Sequence, residues 1–198
     1  MDTCFAIFSN FVDKNIIMSE VKLYNIGKWQ HLLREIKSLY FNSFPIEERR
    51  EWTGVERLLQ TEMSGYNMKV IMHNNQFAGF ISWWKFDYFC YVEHFAINHN
   101  MRGKGIGAQA LMQFINEVKS AVVLEVELPQ EGEMARRRID FYCRNGFVAH
   151  SHFNYIQPPY SKELPSVPLM LMTANAPANI DLNHIASTLH NKVYGVNS

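Results

Sequence analysis

Apolar residues in the first third of the chain repeat mainly with a helical period. Between Gly27 and Phe44 they recur three or four positions apart, which predicts an amphipathic helix after a short strand-like run at residues 21–24. Pro45 ends this helix and can begin a second one that runs toward Gln60. Two helices are therefore expected before the first long strand.

The pattern then changes to that of β-strands. Residues 68–73 and 77–86 are apolar runs on either side of Asn74-Asn75-Gln76, a polar hairpin turn. Residues 89–97 form a third run, rich in aromatic and β-branched side chains. These runs predict three consecutive strands, the first two of them joined as a hairpin.

The second half of the chain alternates between the two periods. It predicts a helix after the polar turn 98–102, a strand over 122–128, a helix over 132–145 that ends at Gly146, short strands over 147–153 and 169–172, and an amphipathic helix from Leu182 to Val193. This order of elements fits an α/β or α+β single domain better than a helical bundle or a β-sandwich.

The same patterns suggest the limits of the domain. Residues 1–20 show no clear period and are expected to be an N-terminal extension. Residues 21–173 carry the predicted strands and helices of the domain, and residues 174–198 form a C-terminal tail that is expected to be helical.

Composition excludes several classes of function. The 198 residues are 47% hydrophobic, enough for one sizeable core, and 19 basic residues balance 19 acidic ones, so nothing global points to nucleic acid or an anionic membrane. Cys4, Cys90 and Cys143 lack CxxC spacing, which favours reduced thiols in the cytoplasm over a disulfide framework or a zinc site. No apolar run reaches the roughly 18 residues of a membrane-spanning helix, and no signal-peptide pattern is present.

The most informative segment is Arg102-Gly103-Lys104-Gly105-Ile106-Gly107-Ala108, which follows a predicted strand and opens a predicted helix. Glycines let the backbone approach a ligand closely, and the free amides of the first helical turn lie at the positive end of the helix dipole. The two basic side chains can add charge-assisted contacts. The segment is therefore expected to suit a pyrophosphate.

Two familiar phosphate-binding motifs fit this loop incompletely. A P-loop requires Ser or Thr after Gly-Lys, but Gly105 follows Lys104. The dinucleotide fingerprint GxGxxA is met by Gly103, Gly105 and Ala108, with Glu125 about 20 residues further on. However, a polar stretch separates the strand from the first glycine, and no second βαβ half follows.

A third motif, Gln/Arg-x-x-Gly-x-Gly/Ala, is met by Arg102, Gly105 and Gly107 and is the acetyl-CoA pyrophosphate loop of the GNAT superfamily of N-acetyltransferases. On the loop alone, a glycine-rich turn that only caps the helix explains it about equally well. The flanking segments resemble the same superfamily: Tyr91–Ile97 its fourth strand, Val122–Glu127 its fifth strand, and Arg137–Phe147 its fourth helix and sixth strand with the FYxxxGF signature. The resemblance covers roughly residues 68–173.

The resemblance implies a mixed, strongly twisted sheet with helices on both faces, splayed open between its fourth and fifth strands. It implies that the pantetheine arm of acetyl-CoA enters the split, and that the acetyl group passes directly to an amine without an acyl-enzyme intermediate. The residues that it implies for binding acetyl-CoA are Phe95, Ala96, Ile97, Arg102, Gly103, Lys104, Gly105, Ile106, Gly107, Ala108 and Arg144.

Acetyl transfer to an amine requires a neutral nucleophile, a polarised carbonyl and a proton for the leaving thiolate. Tyr142 is the candidate acid, because the matching tyrosine of the superfamily commonly points at the thioester sulfur. From periodicity alone it also fits a packed apolar stripe with Ala135 and Ile139. Arg136 and Arg137 are better explained as a solvated helix face than as phosphate ligands.

The candidate bases are glutamates, because an alkylammonium has a pKa of about 10.4 and a carboxylate must help to remove its proton. Glu125 and Glu127 share one face of their strand, where two carboxylates raise each other's pKa. Glu93 on the neighbouring strand is an equal candidate to Glu125, and both rank above Glu127. A solvated strand face is the ordinary alternative for each. His94 is expected on the opposite strand face from Glu93.

The acceptor pocket is expected from the first two helices and the loop near Pro158-Pro159-Tyr160. Aromatic and acidic side chains there would suit a cationic amine; the candidates are Tyr40, Phe44, Glu47, Glu48, Trp83, Trp84 and Tyr155. Trp83 and Trp84 alternate onto opposite faces, so at least one is expected in the core. His150 and His152 have no third ligand, so we expect no metal site.

The leading prediction is a cytoplasmic, acetyl-CoA-dependent N-acetyltransferase that acts as a monomer or homodimer on a primary amine of a small molecule or peptide. One alternative is a nucleotide-dependent oxidoreductase that uses the GxGxxA loop. The other is a non-catalytic acyl-CoA-binding module, against which Tyr142 and the candidate bases weigh.

Overall fold

The structure, a computed structural model, describes residues 20–196. The predicted N-terminal extension over residues 1–20 therefore lies outside the described residues except for its last position, and so does Cys4.

The described elements follow the predicted order closely. They are β1 (Val21–Asn25), α1 (Leu33–Ser43), α2 (Trp52–Gln60), β2 (Tyr66–His73), β3 (Gln76–Lys85), β4 (Phe89–Ile97), α3 (Ile106–Val118), β5 (Ala121–Glu127), α4 (Glu133–Arg144), β6 (Val148–Ala149), β7 (Tyr155–Gln157), β8 (Val167–Ala174) and α5 (Leu182–Lys192). Short 3-10 turns occupy Ile26–Leu32, Ile46–Glu48, His99–Met101 and Pro129–Glu131.

All eight described strands belong to one mixed sheet. Its order is β1-β2-β3-β4-β5-β8-β6, with β7 also paired to β8. Among these strands β4 and β5 form the one parallel pair, and the other pairs are antiparallel. The predicted mixed α/β fold is confirmed.

The sheet opens in its middle. Backbone pairing of β4 with β5 runs from Phe89↔Ala121 to Val92↔Leu124 and stops there. Both strands continue beyond this point, β4 to Ile97 and β5 to Glu127. The predicted split between the fourth and fifth strands is therefore confirmed. The first residues beyond the last pair are Glu93 on β4 and Glu125 on β5.

The two faces of the sheet carry separate cores. Tyr91 and Val123 belong to the first core, on the face that is covered by α1, α2 and α5. Leu124 and Val126 belong to the second core, on the opposite face, against α3 and α4. Trp84 and Trp83 divide in the same way, the first in one core and the second in the other, as their alternation predicts.

A β-bulge in β4 changes which side chains face the first core. The register with β3 shifts so that His94 pairs with Ser82 and Val92 with Trp83, which leaves Glu93 as the extra residue. Because an extra residue restarts the alternation, Glu93 and His94 face the same side. The His94 ring lies 4.7 Å from the Tyr40 ring, in the first core. The prediction that His94 and Glu93 face opposite sides was therefore wrong.

The second predicted helix is interrupted by a side chain from the first. The Tyr40 hydroxyl accepts a hydrogen bond from the Arg50 amide at 2.6 Å and donates one to the Arg50 carbonyl at 3.1 Å. These bonds replace helical ones, so the backbone is extended at Arg49 and α2 begins only at Trp52.

The predicted strand over 147–153 is also shorter than expected. His150 donates its amide to Leu171, and Phe153 then bonds back to His150 in a turn. The turn limits β6 to two residues, and the chain pairs again with β8 only at β7, a strand that the sequence did not predict.

The C-terminal helix α5 lies within the predicted tail, residues 174–198. The Asp181 side chain caps it by accepting a hydrogen bond from the His184 amide at 3.0 Å. Its buried side chains, Ile185 and Leu189, and the following Val193 belong to the same core as α1 and α2.

Within residues 20–196 no helix is long and apolar enough to cross a membrane. The same part of the chain holds no group of three or more His, Cys, Asp or Glu side chains that could bind a metal ion. Cys90 and Cys143 are free thiols.

The close approach of β3 to β4 depends on a glycine. A Cβ on Gly79 would lie 2.2 Å from the carbonyl oxygen of Ala96, a backbone atom that cannot move without displacing its strand. We expect Gly79→Ala to lower the free energy of unfolding in urea by about 1–3 kcal/mol, the range for overpacking.

Gly54→Ala is the matched control. A Cβ at this position of α2 meets nothing within 4 Å. Alanine there should leave the free energy of unfolding unchanged or raise it by up to about 1 kcal/mol. Equal stability of Gly79→Ala and wild type would contradict the close approach.

Candidate active site

A cleft of about 760 Å³ occupies the split between β4 and β5. It extends from the glycine-rich loop before α3, past the open ends of β4 and β5, to the turn between α1 and α2. Side chains of α4 and of the loop after β7 complete its walls.

The cleft brings together nearly all of the predicted site residues. Its lining includes Tyr142, Glu125, Glu93, Phe95, Ala96, Ile97, Arg102, Gly103, Gly105, Ile106, Gly107, Ala108 and Arg144. Lys104 is the exception, because its Nζ points back to the Asn100 carbonyl oxygen, 3.4 Å away, and it does not line the cleft.

The predicted acceptor pocket is less well reproduced. Phe44, Glu48 and Tyr160 line the cleft, but the other candidates do not. Trp83 faces the opposite core, where its ring lies 5.1 Å from that of Phe114. Tyr40 is fully buried against His94, in the first core.

The glycine-rich loop forms a backbone cradle at one end of the cleft. Gly103 and Gly105 adopt positive φ angles of 76° and 73°, a conformation that side chains disfavour. The first bond of α3 runs from the Gln109 amide to the Gly105 carbonyl, so the amides of residues 106–108 have no partner within the helix. These amides and the helix dipole suit an anion.

Basic side chains surround this end of the cleft. Arg102 is fixed by a hydrogen bond from its Nε to the Ile97 carbonyl at 2.9 Å, and Arg144 enters from α4. Neither pairs with a carboxylate of residues 20–196. Arg137, in contrast, pairs with Glu133, and Arg138 pairs with Glu127. Arg102 and Arg144 therefore leave positive charge available for a ligand.

Tyr142 reaches the cleft from α4. Its ring packs against Phe141 and Phe147 in the second core, so it belongs to a packed stripe and also lines the cleft. Burial raises the pKa of the phenol to about 12, and the hydroxyl has no hydrogen-bond partner within residues 20–196. At neutral pH it is a neutral donor with a free proton.

Glu93 is fully engaged by protein groups. Its side chain has no exposed area and accepts hydrogen bonds from Arg50 Nε at 2.7 Å, Trp84 Nε1 at 2.9 Å and the Tyr160 hydroxyl at 2.9 Å. Burial alone would raise the pKa of this carboxyl, but the Arg50 guanidinium and the hydrogen bonds hold it below its usual value. Such a carboxylate is a poor proton acceptor.

Glu125 is bound by phenols and by no cation. The hydroxyls of Tyr91 and Tyr194 donate to its Oε2 at 2.8 and 2.7 Å, and the Tyr155 hydroxyl donates to Oε1. Burial raises the pKa of Glu125 to about 7, and the three hydrogen bonds only partly oppose it. The carboxyl therefore changes its protonation state near neutral pH.

The two ends of the cleft carry opposite charge. Four glutamates lie at the part of the cleft away from the glycine-rich loop, and the carboxylate of the second is buried beneath its surface; they are Glu48, Glu93, Glu125 and Glu127. Arg50 and Arg138 pair with the second and fourth of these. Burial and the nearby Glu127 raise the pKa of Glu48. This end suits a cationic ligand, whereas the loop end suits an anion.

Sequence reasoning missed the partners of the two glutamates. Tyr91, a partner of Glu125, lies two residues before Glu93 on β4. Strand alternation could therefore have placed Tyr91 on the same sheet face as Glu93. Arg50 and Tyr194 gave no such signal, because they reach the site from a loop and from the end of the tail.

The dinucleotide alternative does not fit this geometry. The fold that binds dinucleotides requires several adjacent parallel strands, but the described sheet has one parallel pair. A 3-10 turn at His99–Met101 also separates β4 from the glycines, and Glu125 is occupied by tyrosines rather than placed for a ribose.

Comparison with known proteins places these features in a family. Residues 29–147 match the family model described as "Acetyltransferase (GNAT) family". The Bacillus subtilis protein YjbC is 27% identical over 113 residues, 57% of this chain and 56% of YjbC, so the match spans about half the length of that curated relative.

Two solved structures share the fold. A GNAT-family protein from Bacteroides thetaiotaomicron is 37% identical with a TM-score of 0.79, over 90% of this chain and 99% of that one. Spermidine N-acetyltransferase from Vibrio cholerae, in complex with CoA and spermine, is 14% identical with a TM-score of 0.58, over 77% of this chain and 94% of that one, a likeness in fold alone. Because the family model matches more than half of the sequence and the split sheet agrees with it, the chain belongs to the GNAT family of acetyltransferases.

Proposed function

We propose that the protein transfers an acetyl group from acetyl-CoA to a primary amine. One observation carries the proposal: a single cleft is lined by Glu125, whose carboxyl pKa burial raises to about 7, and by Tyr142, a neutral phenol. Glu125 lies on the same face of β5 as Val123, the face that meets α1 and α2, whereas Tyr142 comes from α4 on the other face of the sheet. A base and an acid thus approach the gap from opposite sides of the sheet.

The loop end of the cleft suits acetyl-CoA. The backbone of residues 93–97 is not paired with β5, so its edge is open to an amide-containing chain such as pantetheine. The amides of residues 106–108, with Arg102 and Arg144, would hold the pyrophosphate. The donor set matches the anionic and amide groups of this co-substrate.

The reaction is a direct transfer. The amine nitrogen attacks the thioester carbonyl carbon, a C–N bond forms and the C–S bond breaks. Glu125, directly or through a water molecule, takes the proton that the amine loses, and the Tyr142 hydroxyl donates its proton toward the departing sulfur. Glu93 is not the base in this scheme; it neutralises Arg50 beneath the cleft.

The acceptor is an amine of a small molecule or a peptide that arrives as its cation. Glu48 and Glu125 form no salt bridge within residues 20–196, so their end of the cleft attracts an ammonium group. The ammonium then loses its proton at Glu125, which is largely ionised above pH 7.

The first prediction from the proposed function concerns acetyl-CoA binding. A glutamate at position 105 would repel the pyrophosphate at the helix N-terminus. We expect acetyl-CoA at about 100 times its dissociation constant to stabilise the wild type by about 2.7 kcal/mol, read as a rise in melting temperature. It should not stabilise Gly105→Glu at the same concentration.

Gly105→Ala is the control, since it imposes the same backbone strain at φ 73° without the charge. It should retain part of the stabilisation by acetyl-CoA. If NAD stabilises the wild type while acetyl-CoA does not, the proposed function is wrong. Binding of acetyl-CoA without turnover on any amine would favour a non-catalytic acyl-CoA-binding module.

The second prediction concerns the base. Glu125→Gln should lower kcat by about 10²–10⁴-fold, the range for loss of a general base. In the wild type, kcat/KM should rise with pH through about 7, because only the ionised carboxyl accepts a proton. This rising limb of the pH profile of kcat/KM should be absent from Glu125→Gln.

Glu127→Gln is the matched control on the same strand face. Its carboxylate pairs with Arg138, and its loss should cost much less activity than that of Glu125. A limb near pH 7 that persists in Glu125→Gln would assign the base to another group.

The third prediction concerns the acid. Tyr142→Phe keeps the ring in the second core and removes a hydroxyl that has no partner there, so the melting temperature should stay close to that of the wild type. We expect kcat to fall by about 10²-fold while the affinity for acetyl-CoA is retained. Tyr88→Phe, at a site that is 79% exposed, should behave as wild type. An unchanged kcat in Tyr142→Phe would exclude the phenol as the acid.

A further inference from the structure

The segment after α5 contacts the proposed base from outside the matched family region. The family model ends at residue 147, whereas α5 spans Leu182–Lys192. The turn after α5 carries Tyr194 to the carboxylate of Glu125. A segment that the sequence presents as a tail therefore contacts the proposed base.

Several bonds fix this turn. The amides of Val193 and Tyr194 both donate to the Leu189 carbonyl, at 2.9 and 3.1 Å. Arg50 Nη2 donates to the Val193 carbonyl at 2.6 Å, while the Nε of the same side chain holds Glu93. The position of Tyr194 is thus tied to both the core and the cleft floor.

The same helix also supports a second phenol. His190 of α5 hydrogen-bonds through Nε2 to the Ile156 carbonyl of β7 at 3.0 Å, and its ring lies 5.6 Å from the Tyr155 ring. Tyr155 donates to Oε1 of Glu125. Two of the three phenols around the carboxylate therefore depend on contacts made by the C-terminal segment.

The surroundings of Glu125 contain no cation that could replace these donors. The titratable groups that face it are Tyr91 and Glu93 from β4, Tyr155 from β7, Tyr160 from the loop after β7 and Tyr194 from the turn after α5. The Tyr91 and Tyr194 hydroxyls lie 3.1 Å apart and share Oε2. Hydrogen bonds from neutral phenols alone offset the cost of a buried negative charge here.

We propose that the C-terminal segment is part of the active site and that Tyr194 is a positioning residue, whose hydroxyl orients the Glu125 carboxylate and stabilises its charged form. The proposal rests on the proposed function in one respect, the role of Glu125 as base. The hydrogen bond itself does not depend on that role. Loss of the hydroxyl leaves Oε2 with Tyr91 as its one phenol donor, which disfavours the charged form.

The test measures the titration of Glu125 without reference to activity. Protein labelled with ¹³C at the glutamate side-chain carboxyl is titrated by NMR, and the Glu125 signal is the one missing from Glu125→Gln. In Tyr194→Phe we expect its midpoint to move up from about 7 by roughly 0.5–1 pH unit, as expected for the loss of one donor to a buried anion. Tyr155→Phe should move it in the same direction.

Tyr160→Phe is the matched control. This phenol also lies in the cleft, and its ring is 5.0 Å from that of Tyr194, but its hydroxyl donates to Glu93. Tyr160 also interacts with Tyr194 and with the charge of Glu125, but it donates no hydrogen bond to Glu125. The Glu125 midpoint should therefore move by much less in this variant than in Tyr194→Phe. A shift of the same size in Tyr160→Phe would mean that any disturbance of the cleft moves the midpoint, and would overturn the proposal.

Kinetic measurements separate the positioning role of Tyr194 from the role of Glu125 as the base. If Glu125 is the base, Tyr194→Phe should lower kcat/KM at pH 6.5 by roughly three- to eight-fold and recover the wild-type value above about pH 9. A Glu125 midpoint that does not move in Tyr194→Phe overturns the inference. A midpoint that moves while the kinetic limb stays in place supports the role of Tyr194 and overturns Glu125 as the base.

Discussion

The end of the pairing between β4 and β5 determines the rest of this structure. Beyond Val92 and Leu124 the two strands separate, so a sheet that is buried on both faces is open along one line. Backbone groups on that line lack strand partners, and a ligand can supply them. The glycine-rich loop, the carboxylates and the phenol of α4 are all arranged around this opening. The site therefore follows from an interruption of the sheet rather than from a loop added to it.

Two buried glutamates at the opening show how hydrogen-bond and charge partners set the pKa of a carboxyl. Glu93 lies beside the Arg50 guanidinium, which lowers the pKa of its carboxyl despite burial. Glu125 has phenol donors and no cation, so burial prevails and its pKa rises to about 7. Both occupy equivalent positions just past the last β4–β5 pair. For Glu93, a cation and hydrogen bonds together outweigh the effect of burial on the pKa. For Glu125, hydrogen bonds without a cation do not.

Elements distant in sequence complete the cleft at the end away from the glycine-rich loop. The turn between α1 and α2 supplies Arg50, which bonds to Glu93 and to the carbonyl of Val193. The last turn of the chain supplies Tyr194, held in place by the packing of α5 in the first core. The end with the glycine-rich loop, in contrast, is built largely from one continuous stretch around α3. The residues at one end of the cleft are thus far apart in the sequence, whereas those at the other end are close together.

The sequence by itself determined the features that local chemistry specifies. The order of strands and helices follows from apolar periodicity, and the glycine-rich loop from glycines and an arginine that lie together at the start of α3. Only the tertiary structure distinguished Glu125 from Glu93, because burial and partners such as Tyr194 and Arg50 depend on contacts across 69 and 43 residues. The bulge at Glu93 was hidden for the same reason: it is a property of the pairing of two strands, which neither strand shows alone.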